Sequence, residues 1–214
     1  MCELLMVRHG EQVLTRETSV DRYVDPPLSK LGQRQVQAVA ARLRETQIDA
    51  VYSSPLRRAF DTGAAIGSYH RITPEPVEAL QEFHPWLGLQ ADRSVHDILP
   101  PDEVKTIFRD LARTKRFDAF PYGEDRHEFR RRINLALGQI IDRHLGQRVV
   151  VTCHSGVINA LLAWTVQTDQ DMPVRLHHTS ISVFRGADTR RTVISVNDYT
   201  HVLPFQTAVD PFNL

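Results

Sequence analysis

The sequence predicts an α/β fold around a largely parallel sheet, and three features carry that reading. Short, mainly apolar runs recur at Leu4–Val7, Ala50–Ser53 and Val149–Cys153. Val149–Cys153 lacks a repeating polar position, as expected of a central strand buried on both faces. Stretches with helical periodicity separate the runs, and that alternation is the pattern of βαβ units. The 214 residues fit one large domain, or one core with an elaborated lid. They bury enough apolar surface to need no disulfide or metal staple.

Taken in order, Leu4–Val7 is the first strand. Glu11–Pro27 is polar and closes on Asp25-Pro26-Pro27, which predicts a loop. Ser29 caps a helix reaching about Glu45, whose apolar positions Leu31, Val36, Val39-Ala40 and Leu43 follow the helical period. Ala50–Ser53 is a second strand. Pro55 suits the first turn of the next helix, which runs to about Tyr69. Pro74-Glu75-Pro76 breaks the chain, and Val77–Leu80 reads as a third strand. From Phe83 to Pro101 the periodicity is lost. With the helix expected over Glu103–Phe117, this stretch forms a lid-like excursion over about 83–121. Asp125–Leu145 is the clearest helix, with Phe129, Ile133, Leu137, Ile140-Ile141 and Leu145 on one face and Gly146 at its end. Arg130-Arg131-Arg132 is expected on its solvent side. After the strand Val149–Cys153 comes a helix over Gly156–Val166. Ile181–Phe184 and Val193–Val196 close the sheet, as a hairpin around Gly186-Ala187-Asp188, and the tail from Leu203 is irregular.

Lys plus Arg and Asp plus Glu both number 26. That balance argues against a broad basic footprint for nucleic acid and against an acidic disordered tail. Cys2 and Cys153 are the two cysteines, too few for a disulfide framework and consistent with a reducing compartment. Cys153 reads as a core residue of its strand. The N-terminus lacks a basic region followed by a long apolar one, and no stretch approaches the roughly 18 uncharged residues of a membrane span. The expectation is a cytoplasmic protein. No pattern sets an oligomeric state.

The chemistry gathers at strand ends. Arg8-His9-Gly10-Glu11 follows the first strand, Ser54 and Arg58 the second, and His154 the central one. Ligands of open α/β sheets bind outside the carboxyl ends of the strands, so these segments can converge. Neutral imidazole is a good nucleophile toward phosphorus, and a covalent product splits one hard displacement into two easier ones. Arg8 and Arg58 offer forked, permanent charge to phosphate oxygens, and a protonated His154 would add to the clamp. The leaving alkoxide needs a proton, which a carboxylic acid with a raised pKa could supply. Glu82, just past the third expected strand, is the best-placed candidate, with Glu75 and Glu78 its nearest rivals. Of Arg57 and Arg58, one is expected on a solvated face, and Arg58 is the pocket residue. No metal is expected. His177-His178 fits no common zinc spacing, and neighbours on a strand point to opposite faces.

As a set, these segments resemble the histidine phosphatase superfamily, also called the phosphoglycerate mutase-like family. The matching residues are Val7-Arg8-His9-Gly10-Glu11, Pro27 to Gln33, Ser53 to Thr62, Leu80-Gln81-Glu82, Gly123-Glu124-Asp125 and Val150 to Gly156. The resemblance implies a three-layer α/β/α sandwich, one domain over 1–214, no metal and no cofactor. It further implies a phosphohistidine on His9, pocket cations at Arg8, Arg58 and His154, and a proton donor at Glu82.

Departures from the mutase pattern favour a phosphatase acting on a small phosphate ester. Mutases of the family carry an Asn six residues after the nucleophile, where this chain has Thr15. They carry an Arg after the acid, where it has Phe83, and Gly-Asn after the second histidine, where it has Ser155-Gly156. Thr15 and Ser155 are therefore the candidate substrate-binding residues at those positions. The phosphatases' Gly-x-Trp-x-Gly is loosely echoed by Pro85-Trp86-Leu87-Gly88. The competing expectations are a cofactor-dependent phosphoglycerate mutase and a phospho-ligand-binding module with negligible turnover.

Overall fold

Leu4, Leu5, Met6 and Val7 are all buried because their strand runs through the middle of the sheet. The computed structural model describes residues 1–15, 17–187 and 190–205. Among them are strands β1 (Cys2–Arg8), β2 (Ala50–Ser53), β3 (Glu75–Pro76), β4 (Arg148–Cys153), β5 (Ile181–Ala187) and β6 (Arg190–Asp198). They form one sheet in the spatial order β3-β2-β4-β1-β5-β6. The first four are parallel, while β5 runs antiparallel to β1 and β6 antiparallel to β5. Val7 lies opposite Thr152, and Arg8 opposite Cys153. That register sets the ends of β1 and β4 side by side.

The helices are α1 (Val20–Val24), α2 (Lys30–Leu43), α3 (Arg57–His70), α4 (Val95–Ile98), α5 (Pro101–Thr114), α6 (Arg126–Arg143) and α7 (Ser155–Val166). Period-two alternation divides β1 between two cores. Leu5 and Val7 pack with Val39, Ala40 and Leu43 of α2 and Ile66 of α3. Leu4 and Met6 face the other way, toward Phe129, Ile133 and Leu137 of α6 and Ile158 and Leu161 of α7. The result is a three-layer α/β/α sandwich. Each fully buried side chain of this kind contributes about 1.5–3 kcal/mol. The Ser29 hydroxyl accepts from the Gly32 N–H, and the Asp125 carboxylate from the His127 and Glu128 N–H groups, so α2 and α6 begin at side-chain caps.

Several local expectations are corrected. Val77–Leu80 is not a strand. The Val77 N–H makes a last bond to the Ser53 carbonyl (2.8 Å), and Glu78–Leu80 then forms a 3-10 turn that buries Leu80. Pro55 lies before α3, whose N-cap is Leu56. Residues 11–27 contain the short helix α1, and Ser19 pairs with Ser94 of the excursion. Helix α5 starts at Pro101 and ends at Thr114, with Phe117 in a separate 3-10 turn. Strands β5 and β6 are longer than expected and pair up to Ala187 opposite Arg190, while Asp188 of the expected turn lies outside the described residues. Leu203 belongs to a 3-10 helix, Thr200–Phe205, that buries Val202. Residues 206–214 of the expected irregular tail also lie outside the described residues. Among the described residues, no helix is long and apolar enough to cross a membrane.

Candidate active site

Three strand ends meet at His9. The His9 N–H donates to the Cys153 carbonyl (2.9 Å), and the Ser54 N–H to the Thr152 carbonyl (2.9 Å), so the segments leaving β1, β2 and β4 stay in register. A side chain on Gly10 would strike the Gly32 carbonyl of α2. Only glycine lets the chain pass this close to α2, directly after the histidine.

The imidazole of His9 is buried and held at both nitrogens. Nδ1 lies 2.7 Å from the Gly10 carbonyl, which can only accept, so Nδ1 carries the proton. Nε2 receives the Arg58 Nε–H at 3.2 Å. A guanidinium can only donate, so Nε2 presents its lone pair. Both contacts select the same tautomer. Burial, then the proximity of Arg58, His154 and Arg8, holds the His9 pKa well below its usual value. His9 is thus neutral at physiological pH.

Arg8 and Arg58 are buried beside it. Arg8 is anchored on the Leu176 carbonyl and Arg58 on the Val24 carbonyl, at 2.9 Å. Arg57 instead pairs with Asp25 at the surface. The His154 ring lies 5.0 Å from that of His9, edge to face, with Nε2 2.8 Å from the Ser54 hydroxyl. Burial, then Arg58 and Arg8, hold His154 well below the usual histidine pKa. Burial and the two neighbouring guanidinium groups thus disfavour the protonated form that the sequence suggested. Ser155 lines the same cavity at the start of α7.

Glu82 enters from the opposite wall. Its Oε1 accepts from the Phe83 N–H (2.9 Å) and its Oε2 from the Gly156 N–H (3.0 Å). Burial pushes the Glu82 carboxyl above its ordinary pKa, against the pull of those two N–H donors and of Arg58 and Arg8. A Cβ at position 156 would collide with Glu82 Oε1, so Gly156 is what lets the acid reach the first turn of α7. Thr15, by contrast, is not brought to the cavity. Its hydroxyl pairs with Thr18 at the exposed surface.

Three residues escaped the sequence. Arg132 does not face solvent. Its guanidinium donates to the carbonyls of Ala79 (2.6 Å), Gln81 (2.9 Å) and Glu82 (3.4 Å) and pairs with Glu124, tying down the loop that carries the acid. Its place three residues after Phe129, over whose ring it lies at 4.7 Å, was the available signal. Arg130 also turns inward, toward Asp171, and Arg131 alone of the triplet is exposed to the extent expected. His178 lies in the turn before β5, so strand alternation does not apply to it. Its ring is buried 5.6 Å from His9, on Nε2 it has no hydrogen bond among the described residues, and the next residue's N–H donates to the His9 carbonyl (3.2 Å). Tyr23 of α1 lines the cavity as well, and nothing in the polar segment 11–27 singled it out. Cys153 is buried, and burial holds its thiol far from ionisation.

This fold, with Arg8 and two histidines at adjacent strand ends and Arg58 in the first turn of α3, points to a class. The chain belongs to the histidine phosphatase superfamily (branch 1), whose profile matches residues 4–199. Two proteins of Arabidopsis thaliana are similar to it. Phosphoglycerate mutase-like protein 4 is 29% identical over 214 residues, covering 94% of this chain and 86% of that protein. A metal-independent phosphoserine phosphatase is 29% identical over 205 residues, covering 94% and 83%. The structure of Bacillus stearothermophilus YhfR shares the fold, with a TM-score of 0.79 at 24% identity, over 94% of this chain and 100% of that one.

Proposed function

We propose that this chain hydrolyses phosphate monoesters through a covalent phosphohistidine on His9, without metal or cofactor, as a single domain carrying its excursion over the pocket. The observation that carries the reading is the tautomer of His9: a proton on Nδ1 fixed by the Gly10 carbonyl, and a lone pair on Nε2 inside the arginine cluster. Nε2 attacks phosphorus in line with the leaving oxygen. The N–P bond forms, the P–O bond breaks, and Glu82 gives its proton to the departing alkoxide. Arg8, Arg58 and His154 hold the equatorial oxygens. His178 is a further donor to them, and Ser155 contributes from the start of α7. Glu82, now ionised, takes a proton from water as that water attacks phosphorus and releases His9 and inorganic phosphate.

The substrate is a small phosphate ester. The relative named for metal-independent phosphoserine hydrolysis supports both the class and the absence of a metal, and two buried, unpaired cysteines fit a reducing cytoplasm. His9→Ala should abolish hydrolysis of para-nitrophenyl phosphate while the wild type is indifferent to a chelator. Full activity in that variant would sink the mechanism. Interconversion of 2- and 3-phosphoglycerate that needs a bisphosphorylated primer would instead point to a mutase. Tight ester binding without turnover would point to a binding module.

A further inference from the structure

We infer, resting on the phosphatase reading above, that the substrate is the monophosphate of an apolar alcohol, an alkyl chain or ring with no charge beyond its phosphate. The cavity of about 100 Å³ that holds Arg8, His9, Arg58 and Glu82 continues onto Leu14, Phe108, Leu111, Phe117, Phe120 and Met172. Gln12, Ser155 and the Tyr23 hydroxyl supply the remaining polar lining, and none of them carries a charge. A phosphate seated at His9 places its ester oxygen at Glu82 and sends the organic group along this arm.

A charged leaving group would lose its hydration there without compensation. The ammonium and carboxylate of a phosphorylated amino acid, or the carboxylate of a phosphoglycerate, each need an oppositely charged partner. The neighbouring cavity of about 340 Å³, which shares Tyr23, Arg58, Glu82, Phe83 and Pro85 with the first, does not offer a carboxylate one. Its acids Glu78 and Glu124 would repel a carboxylate. Its one cation outside the phosphate cluster, among the described residues, is Arg132, already spent on three carbonyls and Glu124.

The apolar arm is, moreover, fixed by packing among its own rings. Phe83 stacks on Phe117 with centroids 4.0 Å apart, and Phe120 meets both Trp86 (5.3 Å) and Phe108 (5.9 Å) edge to face. These rings belong to the core shared with α6. The arm therefore needs little ordering on binding, which favours a rigid or extended apolar group.

The test is a series of primary alkyl monophosphates, from ethyl through butyl to hexyl, assayed beside O-phosphoserine and 3-phosphoglycerate. All release primary alcohols, so differences in kcat/KM report how well the organic group is held. The expected result is a rise of about fourfold per buried methylene, with hexyl phosphate at least tenfold above both charged esters. A flat series, or faster turnover of either charged ester, overturns the inference while leaving the phosphatase reading standing. If the folded protein hydrolyses no ester at all, that reading fails and takes the inference with it. Leu14 is exposed at the cavity mouth, so Leu14→Arg should fold and place a cation in the arm. The 3-phosphoglycerate-to-hexyl ratio, measured within the variant so that partial inactivation cancels, should rise at least tenfold. An unchanged ratio counts against the arm as the binding path.

Discussion

The two sides of the pocket are built differently. The nucleophile side consists of residues at the ends of adjacent strands, where backbone hydrogen bonds fix the positions of His9, Ser54 and His154. The acid side is a loop, Gln81-Glu82-Phe83, held by a helix arginine and one backbone N–H from α7. Burial acts on both sides with opposite outcomes. It favours the neutral form of the imidazoles, as attack requires, and it favours the protonated form of the Glu82 carboxyl, as donation requires. One dry environment thus prepares a base and an acid in the same cavity. Precision comes from the sheet on one side and from side-chain anchors on the other, so the acid side should be the easier to break.

Glu82→Gln gives the largest expected effect on that side. Loss of the proton donor should lower kcat on alkyl phosphates by about 10²–10⁴-fold, and by much less on para-nitrophenyl phosphate, whose leaving group needs little protonation. The pH profile sharpens this. Because the Glu82 pKa is raised, its acid form persists above the ordinary carboxylate range, and activity should fall as pH rises through the raised value. The variant should lose that alkaline limb, and an unchanged limb would remove Glu82 from the role. Gly156→Ala comes next, since its Cβ displaces the carboxyl. About tenfold or more should be lost from kcat on alkyl esters, in line with the sensitivity of catalysis to small misplacement, while aryl ester hydrolysis suffers less.

Arg132 and Arg131, neighbours on α6, sharpen the contrast further. Arg132→Gln removes charge-assisted bonds to the acid loop and should cost about 1.5–3 kcal/mol of stability, read as a lower denaturation midpoint, with a shifted alkaline limb. Arg131→Ala, whose partner Glu128 is exposed, should stay within about 0.5 kcal/mol of wild type. Equal effects from the two would mean that the loop anchor does not matter.

The nucleophile side has its own signature in stability. His9, His154 and His178 all have pKa values well below the ordinary one, each by burial first. Below about pH 6.5 the unfolded chain binds protons that the folded chain refuses, so stability rises with pH and is lost on acidification. Each histidine adds up to about 1.4 kcal/mol per pH unit in that window. His178→Phe should make thermal stability fall less steeply between pH 6.5 and 5.5. An identical slope would show that His178 is not held neutral by the cluster.

The same division explains what was legible in the sequence. The strand-end side was readable because strand, histidine and arginine are contiguous in sequence, as in Arg8-His9-Gly10 and Cys153-His154-Ser155. Helices α2 and α6 were readable from their periodicity and caps. Glu82 was nominated as the acid by its position, but the groups that hold it were not foreseen, because Arg132 lies 50 residues away and a charged triplet on a helix looks like a solvated face. His178 was hidden by treating a turn as a strand. Helix α5 of the excursion was expected from the sequence, but α4, with four residues, is too short to declare a period, and the packing of the excursion is decided by the aromatic contacts of Phe83, Trp86, Phe117 and Phe120 with one another.

The measurement that bears most directly on the account is trapping of the phosphoenzyme. Wild-type protein quenched in alkaline denaturant during turnover of a ³²P-labelled ester should carry acid-labile, base-stable label on His9. The label should sit on Nε2, because Nδ1 is committed to the Gly10 carbonyl, and His9→Ala should carry none. Rapid turnover with no labelled protein, or label in the His9→Ala variant, would contradict the covalent role of His9.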